Sequence, residues 1–481
     1  MKLVDFFKTD TTPHATTLAK TIQRFEKCIL STYLLLFPDV NVRVDYLKKV
    51  IRKGIHPDLR RLIYIFPLIP GQFFLKITLT KKNNQVFDED ESALSFVLFQ
   101  KLFDLRHNVL QSQQIEVIES ILSNFIDYAI AFFISWDTDI KEETVLEILS
   151  TIKMAAMQTY EDEKINLGVL ISDHYETSKR KDPSIYLGLF NRELLESKRF
   201  LKIVDGWTTV FVTNTDGVLL DLARIKDICG SKAKGELAAP TPSALHHHAR
   251  ATEPKGNVCF VLTQRGNIYI FKYGRLLLEL STGEWSQRQN ANHFQIYAKA
   301  VNNMELAKKT YQLALELSIR RTGGIILVIK NPNHLNKILN RQDTMGALKQ
   351  YEDKELVTGE EIESTTTKKG NIMLDLWADP KFNKNLTFHY LLRHKNIREI
   401  HLEILINLAR IDGAIVFDTE GNLLSFGAII KNIRYDKRLK LTGQGARYVA
   451  SIWVSYWGPT LEISADGEIS FFGKRQMIWK E

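Results

Sequence analysis

The chain has 481 residues, of which 44% are hydrophobic. That length exceeds one ordinary hydrophobic core, so the composition predicts a globular protein of two or three domains. The formal net charge of +8 comes from 64 basic and 56 acidic residues scattered along the chain, a small excess that indicates a mild preference for anionic partners and excludes the strongly basic class typical of nucleic-acid-binding domains.

Cysteine usage and hydropathy indicate a protein of the reducing cytoplasm. Cys28, Cys229 and Cys259 are widely separated and form neither a zinc-binding spacing nor a disulfide framework. The first residues lack the apolar run and cleavage site of a secretory signal. The most apolar window, 121–136, is interrupted by polar residues and is shorter than a bilayer-spanning helix. We therefore expect cytoplasmic localisation, no membrane span and no DNA-binding module.

Residues 1–165 form the first of three predicted regions, and their pattern is mainly helical. Apolar residues recur at three- and four-residue steps, as in Ile22, Phe25 and Ile29, which is typical of an amphipathic helix. A short β-rich stretch at 73–79 interrupts the helices. The region contains no catalytic constellation, so we interpret it as a regulatory or assembly region.

Residues 166–297 form a β-rich, sensor-like region. Short β-branched and aromatic runs, such as 208–212 and 258–263, are separated by regularly spaced turns, which predicts antiparallel sheet. The long break at 230–257 predicts a flexible loop, although it contains His246-His247-His248. Clustered histidines can bind a metal, but a flexible surface loop supplies no fixed geometry, so the loop is the preferred interpretation.

Residues 298–481 form the third region, which predicts an α/β fold within a multidomain α+β chain. An amphipathic helix, a buried strand, a polar insertion, a second helix and a hairpin follow one another at 306–320, 325–329, 352–370, 397–408 and 414–430. A basic loop, a short helix and a final hairpin complete the region. This order predicts a mixed sheet flanked by helices.

The junction between the second helix and the hairpin carries Asp412-Gly413-Ala414. A carboxylate at such a junction can hold a metal ion, and the small residues after it let a nucleotide approach the backbone closely. Asp-Gly is also a common way to end a helix and begin a turn. The order of the elements around the tripeptide favours the binding site.

This order resembles the diadenylate cyclase domain, over residues 300–481. The segment 318–329 is similar to the opening helix and strand of that family, and Asp412-Gly413-Ala414 matches its Asp-Gly-Ala motif. Residues 445–451, Gly-Ala-Arg-Tyr-Val-Ala-Ser, fall where the family has Gly-Thr-Arg-His-Arg-Ala-Ala. Ile463-Ser464 and 468–470 resemble its closing strands.

The resemblance implies that two such domains face each other, each with one ATP, and make cyclic di-AMP and pyrophosphate with Mg²⁺ or Mn²⁺. It therefore implies a homo-oligomer. Asp412 would hold the metal and orient the attacking hydroxyl, and Arg447 would hold phosphate oxygens; both are the implied catalytic residues. The implied nucleotide-binding residues are Gly413, Ala414, Ile430, Lys431, Ala446, Arg447, Tyr448 and Ser464.

The second motif departs from the family pattern. Ala446 replaces a threonine, Tyr448 a histidine and Val449 an arginine. Loss of one charge-assisted phosphate contact costs roughly 1.5 to 3 kcal/mol, which slows an enzyme without necessarily silencing it. Basic residues of the loop 431–447 either replace the lost contacts or form a solvated face. Three functions remain open: an active diadenylate cyclase under the control of the N-terminal regions, a non-catalytic nucleotide sensor, and an assembly domain.

Overall fold

The computed structural model describes residues 13–37, 40–47, 60–69, 73–82, 86–111, 115–175, 187–196, 201–229, 237, 239–288, 290–339, 392, 395–431 and 445–480. The chain divides into two compact units. Unit 1 comprises Met1–Ala238 with Ala244–Arg288, and unit 2 comprises Ala239–Ser243 with Gln289–Glu481. Within the described residues, helices occur with mixed and antiparallel sheets, which confirms the expected mixed α/β class. No described helix is long and apolar enough to cross a membrane.

Unit 1 begins with helices and a three-stranded antiparallel sheet of order β1-β3-β2. The sequence predicted one β-rich stretch here, and the structure adds two strands. Apolar and polar residues alternate along one of them, β1. The elements are α1 (Pro13–Leu36), β1 (Val40–Leu47), β2 (Arg61–Ile69), β3 (Phe73–Lys81), α2 (Glu89–Gln111), α3 (Ile115–Ser135) and α4 (Glu142–Ala156).

A seven-stranded sheet completes unit 1, in the order β12-β11-β10-β9-β6-β7-β8. The predicted sheet was antiparallel throughout, which is wrong at one place, because β6 and β7 are parallel. The strands are β6 (Leu167–Ile171), β7 (Thr209–Thr213), β8 (Leu219–Arg224), β9 (Val258–Leu262), β10 (Ile268–Lys272), β11 (Arg275–Ser281) and β12 (Glu284–Gln287). A small hairpin of β4 (Thr159–Tyr160) and β5 (Glu163–Lys164) precedes them.

The helices and both larger sheets of unit 1 form one hydrophobic core. Phe25, Ile77, Ile148, Val169 and Phe260 all belong to a single buried cluster. The predicted boundary near residue 165 therefore falls inside a unit, between α4 and the first strand of the seven-stranded sheet.

The structure describes residues 237 and 239–257 of the predicted flexible loop at 230–257, and there it corrects the prediction; residues 230–236 and 238 lie outside the described residues. Short helices α5 (Ile225–Ile228) and α6 (His246–Ala251) lie in and beside this segment. His248 is fully buried, its ring packs against Phe271 with 5.8 Å between ring centroids, and its Nε2 lies 2.7 Å from the carbonyl oxygen of Gly206. Since a carbonyl only accepts, Nε2 is the donor. Packing of the His248 imidazole thus fixes α6, which the local turn residues alone did not indicate.

Unit 2 contains a six-stranded sheet of order β15-β14-β13-β16-β17-β18, with helices on both faces. The strands are β13 (Gly324–Ile329), β14 (Ala414–Asp418), β15 (Leu423–Ala428), β16 (Thr460–Ile463), β17 (Ile469–Gly473) and β18 (Gln476–Lys480). The helices are α7 (Asn290–Val301), α8 (Met304–Ile319), α9 (Leu335–Ile338), α10 (Leu402–Ala409) and α11 (Ala446–Val454). Across the two units, short 3-10 helices lie at Arg192–Glu196, Ser243–Leu245 and Pro332–His334.

The central strand β13 is buried along its whole length, as its apolar run predicts. Ile326 and Val328 face a core that includes α8 and α10, whereas Ile325 and Leu327 face a core that includes α11. The predicted insertion at 352–370 and residues 432–444 of the basic loop lie outside the described residues.

Candidate functional site

The candidate site lies at one edge of the six-stranded sheet, where β13 and β14 begin side by side. These strands are parallel, with Ile325 paired to Ala414, so the residues that precede them arrive at the same edge. β16 and β15 end there, because Ile463 pairs with Gly324 and Ala428 pairs with Ala414. We call this place the candidate edge. It brings together residues that are distant in the sequence: Gly323, Asp412, Gly413 and Ser464.

Gly413 makes the turn from α10 into β14 possible. Its φ is +123°, and a Cβ at this position would lie 2.6 Å from the carbonyl carbon of Gly427 and 2.7 Å from the amide nitrogen of Ala428. Only glycine adopts this conformation and tolerates this approach without strain. The backbone of β15 therefore closes tightly under the turn, and Asp412 is left on its outer side with 88% of its side chain exposed.

Arg447 lies opposite Asp412 across the candidate edge. Its terminal guanidinium nitrogen Nη2 is 3.7 Å from Oδ1 of Asp412, and its side chain is 44% exposed. The guanidinium occupies the space over Gly323, where a Cβ would lie 2.8 Å from its central carbon. Thus the absence of a side chain at position 323 makes room for Arg447.

The start of α11 adds anion-binding character to this edge. Gly445 is the N-cap residue, and no side chain caps the helix there. Amide N–H groups of a first helical turn carry partial positive charge and favour an anion. Ala446 and Arg447 are exposed in this turn, so a phosphate at the candidate edge would meet the amides and the guanidinium together.

Ser464 ends β16 at the candidate edge, and its hydroxyl oxygen organises the next turn. Oγ accepts hydrogen bonds from the amide of Asp466 at 3.2 Å and from the amide of Glu468 at 3.1 Å. Gly467 supplies the positive φ of +92° in the turn, and its carbonyl accepts a hydrogen bond from the Ser318 hydroxyl. The hydroxyl hydrogen of Ser464 stays available for donation.

Ile430 and Lys431 follow β15 but turn towards α9. Ile430 forms an isolated bridge with Leu339 and packs, partly buried, on the sheet face below α11. The amide of Lys431 donates to the carbonyl of Ile338 at 2.8 Å, and its ammonium donates to the carbonyl of Asn336. The ammonium is therefore committed to α9 in this structure.

Tyr448 follows Arg447 but points away from the candidate edge. Its ring meets Phe472 edge to face, with 5.1 Å between centroids, and its hydroxyl lies 3.9 Å from Sδ of Met477. Phe472 is fully buried in the sheet. Tyr448 thus packs α11 onto the β17 and β18 hairpin, in contrast to the nucleotide contact that the resemblance implied.

Glu462 is a charged residue near the site that the sequence analysis missed. It lies on β16, is only 6% exposed, and pairs in register with Ile325. Burial raises the pKa of its carboxyl group, while the positive charges of Lys480 and Arg447 and a hydrogen bond from Ser470 act to lower it. The signal was a lone acid within the apolar run Thr460–Ile463.

Asp412 fits a Mg²⁺ or Mn²⁺ ion only together with substrate. Among the described residues, no group of three or more histidine, cysteine, aspartate or glutamate side chains is arranged to hold a metal ion. Mg²⁺ is commonly bound through one or two carboxylates, water and substrate phosphates, without an all-protein cage. One exposed carboxylate beside an uncapped helix N-terminus is compatible with that mode of binding.

Comparison with known proteins gives no family for the chain: no family model matches it, and no curated protein or solved structure shows significant similarity.

Proposed function

We propose that unit 2 is a diadenylate cyclase domain that condenses two ATP molecules into cyclic di-AMP with release of two pyrophosphates. The observation that carries this proposal is the meeting of the Asp412 carboxylate and the Arg447 guanidinium, 3.7 Å apart. Asp412 precedes β14 and Arg447 lies on α11, two elements that are separated in the sequence. The two side chains meet above Gly323, at an edge that is lined by small residues.

Arg447 would hold phosphate oxygens of the bound nucleotide. Its distance to Asp412 exceeds that of a charge-assisted hydrogen bond, and both side chains are substantially exposed. Exposed ion pairs contribute little to stability, so the guanidinium can exchange the carboxylate for a phosphate at small cost. The uncapped amides at the start of α11 would contact the same phosphates.

Asp412 would hold the divalent ion and orient the 3′-hydroxyl of its nucleotide. When bound, Mg²⁺ or Mn²⁺ polarises a hydroxyl and neutralises phosphate charge. Gly413 and Ala414 would let the nucleotide approach the backbone of the turn. Alignment of hydroxyl and phosphate by these residues supplies the rest of the rate enhancement.

The reaction requires a second nucleotide-bearing site. Each 3′-hydroxyl releases its proton to solvent as its oxygen bonds to the α-phosphorus of the other ATP, and the bond from that phosphorus to pyrophosphate breaks. A single candidate edge positions one nucleotide, so two copies of unit 2 from different chains would face each other. A homo-oligomer, at least during turnover, is part of the proposal.

The test is incubation of the purified chain with ATP and either Mg²⁺ or Mn²⁺, with cyclic di-AMP measured by mass spectrometry. Asp412→Asn should lower product formation about a hundredfold or more, because it removes the metal-binding charge. The matched control is Glu420→Gln, an exposed carboxylate in the turn at the other end of β14, which should retain activity. Product formation unaffected by Asp412→Asn would contradict the proposed role.

The phosphate contact is tested by the affinity for ATP. Arg447→Ala should weaken ATP binding about tenfold to a hundredfold, the loss of one charge-assisted contact. Arg398→Ala is the matched control, because Arg398 forms an exposed ion pair with Glu305 in the same unit. Equal effects of the two substitutions would show that Arg447 has no special contact with the nucleotide.

A nucleotide sensor without turnover is the second candidate, and the packing of Tyr448 favours it. The ring lies against Phe472 where the family has a histidine, and Val449 offers no charge to a phosphate. Specific binding of ATP or cyclic di-AMP that Arg447→Ala abolishes, with no product under either metal, would replace the enzyme by the sensor. Absence of any specific nucleotide binding would contradict both and leave assembly as the role.

A further inference from the structure

The seven-stranded sheet of unit 1 has the same strand order as the six-stranded sheet of unit 2. Strands β8-β7-β6-β9-β10-β11 correspond to β15-β14-β13-β16-β17-β18, and β12 is an addition at one end. In each sheet a central pair is parallel, β6 with β7 and β13 with β14, while the other neighbours are antiparallel. A helix, α4 or α8, precedes the first central strand in each case. We call residues 142–287 the first copy and residues 304–480 the second copy.

The turn after the second parallel strand agrees in its hydrogen bonds. In the first copy the amide of Gly217 donates to the carbonyl of Asn214 at 3.0 Å; in the second, Gly421 donates to Asp418 at 3.1 Å. An isolated bridge joins the next residue to a preceding segment in both copies, Leu189 with Val218 and Asn396 with Asn422. These contacts make Asn214 equivalent to Asp418.

The turn at the end of β9 agrees with the turn at the end of β16. Thr263 donates its amide to the carbonyl of Asn267 at 2.9 Å, and Ser464 does the same to Glu468 at 2.9 Å. The hydroxyl oxygens of both residues accept a second bond from the amide of the same partner, at 3.2 Å and 3.1 Å. A glycine with positive φ, Gly266 at +82° and Gly467 at +92°, lies in each turn.

The helix over the sheet is also equivalent. His248 of α6 packs on Phe271, and Tyr448 of α11 packs on Phe472. Each phenylalanine is the fourth residue of its strand, and each follows a register shift in the pairing with the next strand. His247 therefore stands where Arg447 does.

We infer that the chain contains two copies of one fold and that the first copy binds no nucleotide, because its own residues close the edge that the described residues leave open in the second copy. The count of nucleotide sites rests on the proposed function, whereas the closure of the edge does not.

Asp205 forms the first part of this closure. Asn214 is equivalent to Asp418, so the residue six positions before each of them is also equivalent. Thr208 therefore corresponds to Asp412, and Asp205 lies three residues before Thr208. Oδ1 of Asp205 accepts hydrogen bonds from the amides of Trp207, Thr208 and Thr209 at 3.0, 2.7 and 2.8 Å, and both threonine hydroxyls also donate to this carboxylate. A carboxylate with five internal donors has little capacity left for a metal ion.

Asn166 and His248 form the second part. By register Asn166 is equivalent to Gly323, and its Nδ2 donates to the carbonyl of Asp205 at 2.8 Å. In the second copy the Arg447 guanidinium fills the space over Gly323. In the first copy the amide side chain of Asn166 fills the equivalent space. His248 donates to the next carbonyl, that of Gly206. Gly206 itself packs on the backbone of Leu167, 2.7 Å from a Cβ built on it.

The first test counts binding sites on the full chain. Equilibrium dialysis with α,β-methylene ATP and Mg²⁺ should give one nucleotide per chain. Arg447→Ala should weaken binding at least about tenfold, while His247→Ala, at the equivalent exposed position of the first copy, should leave it unchanged. Two nucleotides per chain, or a nucleotide that His247→Ala removes, would overturn the inference.

The second test needs no nucleotide. Hydrogen exchange of the unaltered chain should show protected amides at Trp207, Thr208 and Thr209, and Asp205→Ala should accelerate their exchange about tenfold or more, because their acceptor is lost. Asp412→Ala should leave the amides of β14 unchanged. Unprotected amides at 207–209 in the unaltered chain would overturn the closure. If no nucleotide binds to any form but this pattern is found, the proposed function fails and the closed edge stands.

Discussion

Asp205-Gly206 and Asp412-Gly413 lie at the same edge of two sheets with the same strand order, and their surroundings differ. Three backbone amides and two hydroxyls bind the carboxylate of Asp205, while Asp412 is 88% exposed beside Arg447. The sheet determines where an acid stands, and the residues within a few positions determine whether it is available. A fold shared by two regions therefore does not imply a shared function.

The spacing between the acid and the strand accounts for the difference. In the second copy Asp412 and Gly413 directly precede β14, whereas in the first copy Trp207 and Thr208 lie between Gly206 and the start of β7. The additional residues give Asp205 a loop of its own amides to bind. Partial burial acts to raise the pKa of Asp205, but hydrogen bonds from Thr208 and Thr209 outweigh it and lower that pKa to about 2.

The largest expected effect concerns the tight turn of the second copy. Gly413→Ala should lower the free energy of unfolding by about 3 kcal/mol, because a φ of +123° is strained for alanine and the methyl group meets the backbone of β15. Thr209 holds the equivalent place in the first copy, where a side chain is tolerated. Denaturant unfolding measures the loss.

Gly445→Ala is the control for that prediction, because no atom lies within 4 Å of a Cβ built there. It should cost at most about 1 kcal/mol, the difference between glycine and alanine at a helix N-cap. Equal losses in the free energy of unfolding for Gly413→Ala and Gly445→Ala would show that the turn at Gly413 is not tight. The two edges would then not differ in the way described.

The next effect is a pH dependence of stability that arises in the first copy, at His248. Burial lowers the pKa of His248 to about 4, against the ordinary 6.5, and this exceeds the opposing influence of the Gly206 carbonyl. Above pH 6.5 the folded and unfolded chains are both neutral at this residue. Between pH 6.5 and 4 only the unfolded chain takes up a proton, so stability falls as the pH falls.

The expected loss between pH 7.5 and pH 5 is about 2 kcal/mol. Thermal unfolding at the two pH values measures it, with His248→Gln expected to reduce the difference, since glutamine can donate to Gly206 and does not titrate. His247→Gln, at the exposed neighbour, should keep the full pH dependence. If His248→Gln kept it as well, another group would be responsible.

The charge of Glu462 should disfavour both the stability of the fold and the binding of ATP. Burial raises its pKa above the ordinary 4.5, so the fold disfavours the charged form and loses stability as the pH rises through that pKa. Glu462→Gln should therefore raise the melting temperature at pH 7. It should also strengthen ATP binding about threefold, because the carboxylate no longer competes with the phosphates for the positive charge of Arg447.

The first copy has the apolar Val261 at the position equivalent to Glu462, buried as well. If Glu462→Gln stabilised the fold and left ATP binding unchanged, the buried acid would have no part in the site. A fall in melting temperature at pH 7 would instead contradict the direction of its pKa.

The smallest expected effect is that of Tyr448→Phe. The ring supplies the packing on Phe472, and the hydroxyl makes only a weak contact with Met477 at 3.9 Å. Stability, ATP affinity and product formation should all stay within about twofold of the unaltered chain. A larger loss of product formation would show that the Tyr448 hydroxyl takes part in the reaction. That result would contradict the packing role that Tyr448 shares with His248.

The sequence predicted several elements of unit 2, such as α8, β13 and α10, because their signals are local; it did not predict α7 or β18. The apolar run of β13, the helical period before Asp412 and the turn residues after it are all readable from neighbouring positions. The nearness of Asp412 and Arg447 was implied by the resemblance, and the parallel pairing of β13 with β14 gives its structural basis. Whether the site binds nucleotide stays a prediction.

Features that depend on distant partners were not predictable in this way. The parallel pair of β6 and β7, the burial of His248 and the packing of Tyr448 arise from contacts between residues remote in sequence. Turn-forming residues around the histidine run suggested a loop, and tertiary packing overrode that suggestion. The duplication was hidden for the same reason, since it is expressed in strand register and turn hydrogen bonds.

Gly323 offers a way to move a charge without removing it. A methyl group there would lie 2.8 Å from the central carbon of the Arg447 guanidinium, which sits at the end of a flexible side chain and can move aside. Gly323→Ala would keep the net charge, the ion-pair partners and the helix end, and change only where the cation stands. Gly323→Ala therefore separates two contributions of Arg447, its charge and the position of its guanidinium, which Arg447→Ala removes together.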